Sequence, residues 1–246
     1  MYKPISLILS ALAILTPWRL PDACAQTARA NYVYVEGPNA QRAAVECDRI
    51  IAELHKRYGA PQVWRAFPVK FKPPVDRAIA GYTRYSQPDV MEVVVYQPLE
   101  EALGATLDHE LTHAFFFYYL NSNFDLFLNE GLAQNSEKKT RQTLRNGVYL
   151  RAKQGRLKPL EQLYGANQYD PEMALYAQSF SVVDFLIARA GSKWFAAFVT
   201  EANARPDLFD NALMRFYNYR NLNALEDAWR QYLAQGQDRR RTAAVR

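Results

Sequence analysis

Three histidines occur in 246 residues, and two of them stand four apart in the run His109-Glu110-Leu111-Thr112-His113. On a helix, residues four apart share one face, a turn apart. Two imidazoles so placed can bite one divalent ion, for Zn2+ at about 2.0–2.1 Å each. Glu110 projects about 100° round the helix from His109. It can flank such an ion without ligating it, placed to take a proton from water. The bland reading is a pair of solvated surface histidines. Against it stand the scarcity of histidine, the helical setting on the face opposite a row of leucines, and the strand-rich stretch that comes before. A catalytic zinc takes three protein ligands and keeps one position open, so one ligand remains to be found. His55 belongs to a separate, early helix. The next candidate is Glu130, in Phe127-Leu128-Asn129-Glu130-Gly131-Leu132-Ala133-Gln134, seventeen residues after His113. That gap allows the first helix to finish and an antiparallel one to bring the carboxylate back. Taken alone, Glu130 would read as an exposed helix glutamate. Gly131 is unfavourable inside a helix, and is understandable if two helix backbones approach closely there.

These side chains need elements to hold them. Pro98 opens a long helix with Glu100 and Glu101 in its first turn, where acids suit the helix dipole. Leu103, Leu107, Leu111, Ala114, Phe115 and Tyr118 form its buried stripe, and Leu120-Asn121-Ser122-Asn123 ends it. A second helix is expected from about Asp125 to about Leu144. Upstream, Ala43, Ala44, Cys47, Ile50, Ile51 and Leu54 recur at helical spacing, so Asn39 to Tyr58 reads as an amphipathic helix stopped by Gly59-Ala60-Pro61. Strands are expected in Gln62 to Phe71, Ala78 to Tyr85 and Met91 to Tyr96, separated by Pro73-Pro74 and Gln87-Pro88-Asp89. Helical periodicity then fills Pro171 to Ala190, Ser192 to Ala204, Asp207 to Tyr217 and Asn223 to Ala234. A helix, a few strands, then helices alone is an α+β order.

A chain 49% hydrophobic and 13% aromatic can build one substantial core and is not disordered. Lys3, the apolar run Ile5 to Leu15 and Ala23-Cys24-Ala25 have the form of a secretory leader over residues 1–25. Eleven apolar residues are too few to span a bilayer. The expectation is an exported protein, periplasmic or secreted, without stable membrane insertion once the leader is gone. Its main domain covers 26–238 and a basic tail covers 239–246. With Cys24 removed, Cys47 stands alone, read as a buried residue on a helix. The net charge is +5, of which Lys3, Arg19 and Asp22 in the leader contribute +1, leaving +4. Much of that excess sits in Arg239-Arg240-Arg241 and Arg246, read as a solvated end. No nucleic-acid motif opposes that reading.

The pair HELTH and FLNEGLA resembles the gluzincin branch of zinc metallopeptidases. It is most similar to the peptidase MA-like group, which joins an HExxH helix to an NEGxA helix; the aminopeptidase N family carries a similar pair. The likeness runs from about Met91 to Gly191 and includes Tyr176-Ala177-Gln178-Ser179-Phe180. It implies a zincin-like fold: a small N-terminal sheet, an active-site helix and a mainly helical C-terminal part. It implies His109, His113 and Glu130 as zinc ligands, Glu110 as catalytic base, and a peptide or protein substrate. Such enzymes stabilise the oxyanion with a histidine or tyrosine. No histidine follows Glu130, so a tyrosine is implied. Tyr176 is the candidate, Tyr164 and Tyr169 its rivals, and a packing role for Tyr176 the alternative. An edge strand pairing with substrate is also implied, and would be Met91 to Tyr96. One departure stands out. The family's usual acid four residues after the ligand glutamate is Gln134 here, which predicts weaker support for a ligand histidine. Two other readings keep the metal: a non-catalytic zinc-binding scaffold, and a zinc amidase acting on cell-wall crosslinks.

Overall fold

Alternating inward and outward residues build the sheet. In the computed structural model, which describes residues 27–74, 79–87, 90–122, 124–165 and 174–244, Val33 and Val35 of strand β2 (Val33–Glu36) face inward while Tyr34 and Glu36 face out. Strand β3 (Phe67–Phe71) repeats the pattern with Phe67, Val69 and Phe71. Strands β1 (Thr27–Arg29), β4 (Gly81–Gln87) and β5 (Val90–Val95) complete a five-stranded sheet in the order β1-β2-β3-β5-β4. β2, β3 and β5 run parallel, and β1 and β4 pair antiparallel at the two edges. Register places Val35, Val69, Val93 and Thr83 in one row, all buried. The two N-terminal strands are shorter than periodicity can register. β5, expected to be an edge, is interior. Its run Met91 to Val95, buried throughout, is what a strand covered on both faces looks like.

Helix α1 (Ala40–Tyr58) follows the expected bounds. Cys47 lies buried in its inner stripe, where burial pushes the thiol pKa well above its ordinary value. The long helix expected after Pro98 is instead two pieces, α2 (Leu99–Ala102) and α3 (Thr106–Leu120). Leu103 is extended and Gly104 takes a positive φ of 72°, a conformation suited to glycine. The Gly104 N–H donates to Asp108 Oδ2 at 2.7 Å, which sets the start of α3 and puts an acid in its first turn. α3 packs on β4 and β5. It is buried on every side from Thr106 to Phe116, so the face opposite its leucines is no solvent face. Leu103 and Tyr118 are only partly buried.

By Cα proximity the chain divides into two units. The first holds the sheet, α1 up to Lys56, α2, α3 and Ser136–Lys138; the second, from Asn123 onward, is helical among its described residues. Helix α4 (Leu126–Ser136) begins where Asp125 Oδ1 accepts the Leu128 N–H at 3.3 Å. The second helix expected to reach Leu144 stops at Ser136, and α5 (Arg141–Lys153) starts afresh. Next come α6 (Leu160–Leu163), α7 (Ala174–Ala190), α8 (Ser192–Ala204), a 3-10 turn at Pro206–Leu208, α9 (Phe209–Tyr217) and α10 (Leu222–Ala244). The α4–α7 contact is close: a Cβ on Gly131 would lie 2.5 Å from the Ser179 carbonyl oxygen. Asn135 Nδ2 donates to the carbonyls of Gly131 and Phe180 at 2.8 and 2.9 Å, stitching the same two helices. Trp229 of α10 donates to Ser181 Oγ at 3.0 Å. The architecture is α+β, as expected. The stretch expected to be a leader, Pro88-Asp89 and Tyr169 lie outside the described residues. So do the side chains of the basic tail.

Candidate metal centre

His109 and His113 sit one turn apart on α3, fully buried. Their Nε2 atoms face each other at 2.9 Å. The Nδ1 of His109 lies 2.5 Å from Glu137 Oε1. A carboxylate only accepts, so this contact assigns the proton to Nδ1 and leaves the His109 Nε2 lone pair directed toward His113. Glu137 is the first residue past α4 and is itself buried.

The side chain of Glu110 is also fully buried. Its Oε2 lies 2.7 Å from Thr83 Oγ1, and its main-chain carbonyl lies 2.9 Å from the same hydroxyl. Thr83 closes the buried row of the sheet on edge strand β4.

Glu130 is fully buried on α4. Among the described residues, His109, His113 and Glu130 form a group able to hold a metal ion. One ligand atom from each lies within 4.8 Å of the other two. Two imidazoles and one carboxylate are a donor set that zinc accepts, and tetrahedral ligands at about 2.0–2.1 Å stand about 3.3 Å apart. The imidazole nitrogens, 2.9 Å apart, stand near that spacing. Charge points the same way. The buried acids among the described residues are Glu92, Asp108, Glu110, Glu130 and Glu137, and no lysine or arginine is buried with them. Buried carboxylates are costly without a compensating cation or donors; Glu92 is paired with Lys70 and Arg84.

Tyr176 is buried in the first turn of α7. Tyr164 caps α6 with its ring centroid 4.2 Å from that of Phe209, and burial pushes its hydroxyl pKa above the ordinary tyrosine range. Gln134 is buried, and its Oε1 has no hydrogen-bond partner among the described residues. The acid that meets His109 is Glu137, three residues further on. α4 ends at Ser136, and Glu137 just beyond it brings a carboxylate to His109 Nδ1. Sequence reasoning passed over Glu137, although it stands two helical turns past Glu130. It had no signal for Thr83, whose role depends on sheet register.

Comparisons with models of known families, with curated proteins and with solved structures found no match to this chain.

Proposed function

We propose that this chain is a zinc-dependent hydrolase of peptide bonds, of the gluzincin, peptidase MA-like kind, with a zincin-like fold. The observation that carries the reading is the buried group His109, His113 and Glu130, with a carboxylate on the far nitrogen of His109. A histidine ligand braced in this way is held in one tautomer and one ring orientation, and is a better donor.

His109 Nε2, His113 Nε2 and a Glu130 oxygen would hold the ion. When bound, zinc supplies Lewis acidity, which acidifies water and polarises a carbonyl oxygen. Glu110 neighbours His109 on α3 and acts as general base. It takes one proton from water as the water oxygen bonds to the scissile carbonyl carbon. It then delivers that proton to the amide nitrogen as the C–N bond breaks, giving a carboxylic acid and an amine. Tyr176 is the candidate donor to the oxyanion that forms between those steps. An extended peptide would add to the outer edge of β4, the edge strand nearest α3, and not to interior β5. Among the described residues no helix is long and apolar enough to cross a membrane.

The test separates binding from chemistry. Glu110→Gln should bind zinc as the wild type does and lose about 10²–10⁴-fold in turnover of a peptide library. Full activity in that variant would refute the assignment of the base.

A further inference from the structure

The edge strand of the sheet does more than bound it. Two residues of β4 that share a face, Gly81 and Thr83, both meet Glu110. A Cβ on Gly81 would lie 2.8 Å from Thr106 Cγ2, 2.8 Å from the Val94 carbonyl oxygen and 3.3 Å from Glu110 Cγ. Only a residue without a side chain lets the strand lie this close to α3. Two residues on, the Thr83 hydroxyl reaches Glu110 Oε2 at 2.7 Å.

That hydroxyl has one proton and two acceptors within reach, the carboxylate and the Glu110 carbonyl. The carbonyl lies inside α3, where the N–H four residues on serves it. The carboxylate is the nearer and stronger acceptor. Thr83 is 1% exposed, so water does not compete for the bond. Its β-branched side chain has few rotamers, and its strand register is fixed by pairing with Val93.

We propose that Thr83 is a positioning residue for Glu110: its hydroxyl, brought up by the close approach of β4 at Gly81, locks the base carboxylate in one orientation. The inference rests on the reading of Glu110 as general base. It means that β4, the strand proposed to receive substrate, also holds the base. The reacting carbonyl and the proton acceptor then share one frame, and a misplacement of about 1 Å in such a frame can cost about 10²-fold in rate.

The experiment compares Thr83→Val, isosteric without the hydroxyl, with Thr83→Ser, which keeps it. Each purified, zinc-loaded variant is assayed for zinc stoichiometry, for kcat and KM on a peptide substrate the wild type turns over, and by crystallography at the Glu110 side chain. Thr83→Val should lose about 10- to 100-fold in kcat, with KM and zinc stoichiometry unchanged and the Glu110 carboxylate turned from its wild-type position. Thr83→Ser should stay within about threefold of wild type. Equal kcat in Thr83→Val and wild type would overturn the proposal, as would equal losses in the valine and serine variants. If the wild type binds zinc but turns over no peptide, the functional reading fails. The crystal structures then decide this point alone, and an unmoved Glu110 in Thr83→Val overturns it.

Discussion

Replacing Gly131 by alanine tests how α4 is held in place. The added Cβ would sit 2.5 Å from the Ser179 carbonyl oxygen, 2.6 Å from Val183 Cγ2 and 2.8 Å from the Ser179 carbonyl carbon. Ordinary contact begins at 3.4 Å, so α4 and α7 must part by about 0.9 Å locally. Two of the three clashing atoms are main chain within α7, and cannot turn aside as a side chain would. Overpacking of this kind costs about 1–3 kcal/mol, occasionally more, and this contact belongs at the upper end. Against it stands the gain from exchanging glycine for alanine in a helix, about 1 kcal/mol. The net is a loss of about 2 kcal/mol, or about 4–8 °C in melting temperature for a chain of this size. Glu130 adjoins Gly131, so the shift also moves the candidate ligand, and zinc affinity should fall with stability. Scanning calorimetry and chelator competition read the two effects. A Gly131→Ala protein that melts at or above wild type, with unchanged zinc affinity, would refute the close-contact argument.

Other outcomes follow from the same geometry. Glu137→Gln keeps the size of the side chain that meets His109 Nδ1 but removes its charge, and should weaken zinc binding about 10- to 100-fold; undiminished affinity in chelator competition would show that the contact is idle. For Glu92, burial pushes the pKa up, but hydrogen bonds from Lys70 and Arg84 outweigh it and hold the value below the ordinary glutamate range. A depressed folded pKa stabilises the protein above the unfolded value, near pH 4.3, and that stability is lost as pH falls through the folded value. Denaturant titrations between pH 7 and pH 3 should therefore show a shallower acid loss in Glu92→Gln than in wild type.

The parts of this protein that were legible in its sequence are those written in local pattern. The stripe from Ala43 to Leu54 marks α1 within a residue of its bounds, and the spacing of His109 and His113 puts two imidazoles on one face of α3. Gly131 is foreseeable as a point of close helix approach, because nothing else explains glycine there. What escaped depends on contacts far along the chain. The break between α2 and α3 needs Gly104 at positive φ with its N–H on the Asp108 carboxylate, and neither residue alone declares it. The sheet order puts β4 outside β5 although β5 follows it; the apolar run of β5 was the available clue. Glu137 is an acid among many until α4 stops at Ser136, and Thr83 becomes visible only once register sets it opposite Val93.

In the proposed centre, two imidazoles and the Glu130 carboxylate share one ion. Elemental analysis of protein equilibrated with zinc and then dialysed, wild type beside Glu130→Ala, measures this directly. About one zinc per wild-type chain is expected, with a clear loss in the variant and both proteins folded by circular dichroism. A wild type that retains no zinc, or a Glu130→Ala protein that holds it as firmly, would contradict it.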